Sequence, residues 1–328
     1  MTGHDEPKTT APVPLADRAG TAGARGADAV RDVVGDVVGD AAACADRAAL
    51  AADVVVREIT RLSDLTAITA LYDEIWHPDG TQPISTEMLR ALSKAGNYVA
   101  AAFDGDRLVG AAAGFYTAPA GGALHSHIAG VSSTVAGRHV GYALKLHQRA
   151  WALRHDVPLI EWTFDPLVAR NAYFNIVKLA GRPAEYLPNF YGGMHDGING
   201  DDDTDRLLLR WNLADARVGA ACSGRRQTSD AAWLRSRGAA VALGRGAGDD
   251  PVAGRSDAAT VLIAVPPDVE ALRGGSPGRA KEWRIAVREV LGGLLTGGAR
   301  VTGFDRAGWY VVEQPQDRAG PRRAGARP

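Results

Sequence analysis

At 328 residues, 46% of them hydrophobic and with a formal net charge of −1, the chain can bury a full core and holds one large or two smaller domains. Near-neutral charge argues against nucleic acid or an anionic membrane surface as the main partner. The only two cysteines, Cys44 and Cys222, stand in segments that read as flexible, so neither a disulfide framework nor a zinc site is supported.

The N-terminus, MTGHDEPKTTAPVPLADRAG, carries acidic residues and prolines where an export signal needs a basic and then an apolar stretch. No run approaches membrane-spanning length, and a reducing cytoplasm is the expected compartment. Residues 1–52 are dominated by Ala, Gly, Asp, Arg and Pro without one aromatic side chain, which predicts a disordered extension. Between Ala27 and Ala52 valines and alanines fall on one side of a candidate helix, weakened by Gly35 and Gly39 by roughly 1 kcal/mol each. A docking helix is the alternative to a poorly ordered extension there.

The first folded unit is expected over 53–214. Val54, Val55, Val56 and Ile59 make a strand, and Ser63 caps a helix with Leu65, Ile68, Leu71, Tyr72, Ile75 and Trp76 on one face. His77 and Asp79 follow in a polar loop, then a short helix around Glu87. Two strands, 97–103 and 107–116, are joined by Asp104-Gly105-Asp106, a hairpin signal. A further strand holds His125, His127 and Val131, and period-2 geometry sends both histidines to one face. Ala136 to Gly141 then form a glycine-bearing turn, followed by Tyr142, Leu144, Leu146, Ala150, Trp151 and Leu153 at helical spacing. A strand that feeds such a turn into a helix points unpaired N–H groups and the positive end of the dipole at one spot, a seat for phosphate.

Leu159 to Phe164 is the next strand, ended by Asp165-Pro166, and a helix begins near Val168 with Asn171 and Asn175 four residues apart on one face. Strands at 182–191 and 206–213 flank an acidic run, Gly200 to Asp205, which lacks the ligand offsets of a calcium loop and reads as solvated. Residues 215–259 turn to Arg, Gly, Ala and Ser with little periodicity and read as a flexible linker or loop. Order returns over 260–313 as a strand, a helix with Arg284 and Arg288 four apart, and a strand pair; the tail 314–328 is predicted disordered. Arg284 and Arg288 suit a carboxylate or phosphate, although a solvated face is more common.

Gly141-Tyr142-Ala143-Leu144-Lys145 with Gln148-Arg149, then Trp162-Thr163-Phe164-Asp165-Pro166-Leu167, Arg170-Asn171-Ala172 with Asn175, and Lys178-Leu179 resemble a branch of the GNAT superfamily of acyl-CoA-dependent N-acyltransferases, predicted acetyltransferases of bacteria and archaea. Glu282-Trp283-Arg284, Arg288 and Val301-Thr302-Gly303-Phe304 extend the resemblance from about Val54 to Glu313. It implies an α/β (α+β GNAT-like) fold: a mixed, mostly antiparallel central sheet flanked by helices, with a small C-terminal α/β lobe. It also implies acetyl-CoA or another acyl-CoA as co-substrate, no metal, and a small-molecule amine or amino-acid-like acceptor, in a monomer or homodimer without nucleic acid or membrane as partner.

The resemblance implies CoA contacts at Val131, Gly137, Arg138, His139, Val140, Gly141 and Tyr142, with Asn171 and Asn175 near the pantetheine arm. Candidate bases are His127, which lies nearer the cofactor end, His125 and Asp165; each has a bland alternative, a hydrogen bond within the sheet or a helix cap. Asn189, Tyr191 and Arg206 are candidates for the acceptor. The chain departs from the family pattern at Ala136, where Arg or Gln is usual, at His139 in place of Gly, and at Ile176, where a tyrosine often protonates the leaving thiolate. The second reading is therefore a catalytically inactive GNAT-fold ligand-binding or scaffolding protein.

Overall fold

A computed structural model describes residues 21–76, 83–119, 122–192 and 202–315. The expected disorder of residues 1–20 and 316–328 and the loop residues His77 and Asp79 lie outside the described residues.

Helix α1 (Thr21–Ala51) precedes β1 (Val55–Glu58), α2 (Leu62–Trp76), α3 (Thr86–Lys94), β2 (Val99–Asp104) and β3 (Arg107–Tyr116). After β4 (Leu124–Val131) come α4 (Val140–Arg154), β5 (Leu159–Phe164) and α5 (Ala169–Ala172), which widens into a π-type turn over Tyr173–Lys178. Strands β6 (Arg182–Leu187) and β7 (Arg206–Asn212) complete a seven-stranded sheet in the order β1-β2-β3-β4-β5-β7-β6. Among the described residues only the β4 and β5 pair in it is parallel. Helix α2 covers one face with Leu65, Ile68, Leu71 and Tyr72, all buried, which is the stripe the 3.6-residue period predicted. Helix α4 covers the other, and α1 lies along α4.

Beyond β7 run α6 (Ala216–Cys222), α7 (Ala231–Ser236), β8 (Ala240–Arg245), β9 (Pro251–Ala253), β10 (Thr260–Ala264), α8 (Val269–Gly275), α9 (Pro277–Val287), α10 (Gly293–Thr296), β11 (Arg300–Asp305) and β12 (Trp309–Glu313). Five of these strands form a second sheet, β11-β12-β10-β8-β9. A mixed, mostly antiparallel central sheet flanked by helices, with a C-terminal α/β lobe, is thus the architecture observed.

Three expectations are corrected. Residues 215–259 are not a linker: they hold α6, α7, β8 and β9, and β8 pairs in parallel with β10, which is buried. Short elements separated by Gly and Arg show no long-range period, yet one central apolar strand recruits them. The C-terminal part of the extension, from Gly35, is ordered helix: Ala41, Cys44 and Ala45 are buried in the main core. Small residues let α1 approach α4 closely, so its stabilisation comes from packing against a partner rather than from large side chains. Cys44 and Cys222 are consequently buried and free, with burial pushing the Cys222 thiol up to about 12.

The third correction concerns charge. Asp202 and Asp203 of the acidic run, with Asp205, face Arg284 and Arg288 of α9 and the turn that follows it. Arg288 Nη2 lies 2.6 Å from Asp205 Oδ1 and 2.7 Å from Asp203 Oδ2, and Arg284 Nη2 lies 2.8 Å from Asp202 Oδ2. The run is a docking surface between the two sheets, and the spaced arginines hold carboxylates of this same chain.

Candidate functional site

Strands β4 and β5 pair only at Leu124 with Ile160 and His125 with Glu161. Past that point β4 remains paired to β3 through Val131 and β5 to β7 through Phe164, but among the described residues the two are not paired to each other. The sheet therefore forks, and the facing edges from Ser126 and Trp162 onward carry backbone N–H and C=O groups without a strand partner. Such an edge seeks a partner, and an extended molecule with amide groups of its own can supply one.

At the mouth of the fork, β4 runs into a short turn and then α4. Gly137 has φ +83° and His139, directly before the helix, has φ 64° and ψ 23°. Two left-handed residues bend the chain so that the first helical turn faces back toward β4. Histidine is among the few non-glycine residues tolerated there, with a cost of about 1–2 kcal/mol. Replacing His139 by glycine should accordingly raise stability by up to ~1 kcal/mol, less the entropy glycine adds to the unfolded chain, read as the urea midpoint.

Among the described residues, the amide N–H groups of Gly137, His139, Val140 and Gly141 have no hydrogen-bond acceptor, whereas Arg138 N donates to Val135 O at 3.2 Å. The Arg138 side chain is also committed: it donates to Asp104 Oδ2 at 2.7 Å and to Asp53 O at 2.7 Å. An open row of donors at the positive end of a fifteen-residue helix is a cradle for an anion.

On the α2 face of the sheet, His125 and His127 come together with Phe115 of β3. Ring centroids are 6.0 Å apart for the two histidines, 5.0 Å for Phe115 and His125, and 5.7 Å for Phe115 and His127. The β3–β4 register shifts here, with Gly114 opposite Ser126 and Ala113 opposite Ile128, so His127 is the extra residue of a bulge. Gly114 permits it: a Cβ there would lie 2.7 Å from His125 O. Burial lowers the pKa of both histidines; for His125 the neighbouring His127 lowers it further, while Glu161 opposes. Both are neutral near pH 7.

Across the fork, Thr163 shares that face, since Glu161 and Thr163 alternate with Trp162. Thr163 Oγ1 is 3.2 Å from Tyr191 Oη, and the Arg206 guanidinium lies 5.3 Å from the Tyr191 ring centroid. Arg206 is buried; its Nη1 donates to Asp205 O at 3.0 Å, and among the described residues no carboxylate stands within 4.0 Å of it. Asn189 is spent on its own loop, with Oδ1 accepting from Thr204 N at 3.2 Å.

Asp165 is corrected as a base. Arg284 donates to both its oxygens, at 2.8 and 2.9 Å, Arg273 donates to Oδ2 at 2.5 Å, and Leu167 N to Oδ1 at 2.9 Å. Burial alone would raise its pKa, but the Arg284 guanidinium outweighs it and, with Arg273, holds the carboxyl well below the usual range. A carboxylate so engaged has no affinity left for a substrate proton. Asn175 is likewise corrected: it is buried, Trp162 Nε1 donates to its Oδ1 at 3.3 Å, and the π-type turn separates it from exposed Asn171, so the expected shared helical face does not form.

Lys145 of α4 was not anticipated. Its Nζ sits at the apex of the fork, donating to Ser126 Oγ of β4 at 2.8 Å and Gln148 Oε1 at 3.1 Å, and lies 3.8 Å from the Trp162 ring centroid of β5. Burial pushes its pKa down to about 7. The signal was present: Lys145, Gln148 and Arg149 fall at i, i+3 and i+4 on one helix face, and all three are buried. Tyr142, one turn earlier in that helix, donates to Cys222 O at 3.3 Å and meets Phe174 edge-on with centroids 6.4 Å apart.

No family model matches the chain, and no curated protein does. Among solved structures it is similar to an N-acetyltransferase from Staphylococcus aureus Mu50, at 14% identity and a TM-score of 0.41 over 49% of this chain and 98% of the other. The ribosomal-protein-S18-alanine N-acetyltransferase from Escherichia coli gives 13% identity and a TM-score of 0.41 over 50% and 96%. The yncA protein from Salmonella typhimurium, a putative acetyltransferase solved with acetyl-CoA, gives 14% and 0.41 over 49% and 94%. At these values the likeness adds nothing to the strand order, which stands on its own pairing.

Proposed function

We propose that the protein is a GNAT-type N-acyltransferase of the cytoplasm that moves an acyl group, acetyl by default, from CoA to a small-molecule amine. What carries this reading is the fork between β4 and β5, with the amides of Gly137, His139, Val140 and Gly141, which have no acceptor among the described residues, at its mouth. The amides would hold the pyrophosphate of acyl-CoA, with the exposed His139 ring nearby, and the fork edges would pair with the pantetheine amides. Val131 and Tyr142 border that path, and Asn171 lies on the helix beyond it.

The thioester then lies in the fork and the acceptor on the α2 face. His127 or His125, neutral at working pH, takes the proton as the amine attacks the carbonyl carbon. The C–N bond forms, backbone N–H groups near Val131 stabilise the oxyanion, and the C–S bond breaks to release the thiolate. Arg206, buried, bordered by Tyr191 and without a carboxylate within 4.0 Å among the described residues, suits a carboxylate on the acceptor, which makes an amino-acid-like amine the favoured class.

A second reading is supported by two observations. Tyr142, Phe174 and the Cys222 carbonyl meet where the pantetheine arm would pass, and Lys145 occupies the fork apex; a non-catalytic module would keep both. Calorimetric titration with acetyl-CoA, succinyl-CoA and free CoA separates the two. The transferase reading expects saturable binding and thiol release with amines. No binding up to ~1 mM, a free energy of only ~4 kcal/mol, would leave the non-catalytic module.

A further inference from the structure

The chain brings together a cavity of about 520 Å³ between the end of the π-type turn, the start of β6, α6 and the start of β11. Its floor is apolar, from Ile176, Val177, Pro183, Ala220 and Val301, and its lining includes Arg182, Arg217, Arg225 and Arg300 against one carboxylate, Glu313. Asn175 on the same turn is directed at Trp162, so the cavity and the fork use different side chains of that turn.

The arginines are incompletely matched. Asp215 engages Arg182 Nη2 at 3.2 Å, but its nearest approach to Arg217 Nε is 3.9 Å, and that buried Nε has no hydrogen-bond acceptor among the described residues. Arg225 and Arg300 are exposed, and among the described residues neither has a carboxylate within 4.0 Å. Glu313 is the cross-strand partner of Arg300 in register, yet it too stays beyond that distance. Guanidinium groups gathered on an apolar floor repel one another until an anion is returned.

We propose that this cavity is a second ligand site, separate from the fork, that takes an organic phosphate: a phosphate monoester with an apolar body. Planar guanidinium groups match phosphate oxygens two at a time, and several of them around one space suit a dianion better than a single carboxylate, which one arginine satisfies. The apolar floor has no use for a bare ion, and the volume falls in the range of small-molecule sites, roughly 300–1,000 Å³.

The test is calorimetric titration of the full chain with phenyl phosphate, with inorganic phosphate as the comparison, in the wild type and in the double variant Arg225→Ala, Arg300→Ala. Both substitutions lie on exposed side chains, and the melting temperature of the variant should match the wild type. Saturable phenyl phosphate binding is expected, at least about tenfold tighter than inorganic phosphate and weakened at least about tenfold in the variant. The site is overturned by an absence of saturable binding up to ~10 mM, by equal affinity for the two probes, or by indifference to the double substitution. Competition by acetyl-CoA would merge the cavity with the cofactor path and overturn a separate site. Failure of acetyl-CoA to bind at all, with phenyl phosphate still binding, would remove the acyltransferase reading and leave this one standing.

Discussion

Replacing Arg284 by alanine should lower the unfolding free energy by about 3–5 kcal/mol, measured by urea denaturation at pH 7. Arg284 has 1% of its side chain exposed and holds Asp165 and Asp202, whose side chains are 9% and 7% exposed. Taking charges out of water is costly, and the fork of a guanidinium around two carboxylates is what offsets it here. Removing the arginine leaves buried anions with Arg273 as remaining partner. Replacing Arg284 and Asp165 together by apolar residues should cost less than the two single changes summed, because the apolar pair strands no charge on either side.

The pH dependence has a definite sign. Asp165 titrates lower in the folded state than in the unfolded chain, where a carboxyl has pKa ~3.9. Its contribution is therefore fully present above that value and is lost as pH falls toward the folded pKa. The deficit of Arg284→Ala should be largest at neutral pH and shrink below about pH 4, where the unpaired carboxyl can protonate. A deficit unchanged down to pH 3 would assign the loss to packing of the Arg284 side chain instead.

Removing the histidine pair, His125→Ala with His127→Ala, should reduce the rate of thiol release from acetyl-CoA by about 10²–10⁴-fold while leaving acetyl-CoA binding within a few-fold. The two rings and Phe115 form one cluster on the α2 face, whereas the unbonded amides lie on the backbone at the mouth of the fork. The single variants apportion the effect; the base is the one whose removal reproduces the loss of the pair. Since burial lowers both histidine pKa values, the base form persists into mild acid. Activity should hold as pH falls to the ordinary histidine value of ~6.5 and decline below it, as the folded pKa is crossed. A wild-type limb centred above pH 7, or one that survives in the double variant, would move the proton transfer to another group.

Much of the architecture was legible in order of residues. The α2 face followed from apolar residues three and four apart, the β2–β3 hairpin from Asp104-Gly105-Asp106, and the α4 start from the glycine-bearing turn. These are local properties: periodicity and turn chemistry act over a few residues, so a linear reading captures them. The turn before α4 was legible for the same reason, since it depends on where the chain bends and not on which side chains surround it. His125 and His127 were placed together by alternation, and the structure keeps them together despite a bulge that alternation does not foresee.

What the sequence by itself determined, then, is where most strands, turns and helices of the first sheet begin and that His125 and His127 share a face; the helix before β1, the short elements of 215–259 and the π-type turn that parts Asn171 from Asn175 were not legible in it. Only the tertiary structure decided which of its charges are free. Asp165 reads as a strand-end carboxylate near a cofactor, but the arginines that claim it come more than a hundred residues later, from α8 and α9. Ser126 and Trp162, brought to one lysine, are separated by a helix, and the arginines of the cavity come from β6, α6, the segment after it and β11. A charge is spent or available according to its neighbours in space, and Coulomb energy, desolvation and hydrogen bonding all act at a few ångströms regardless of distance along the chain.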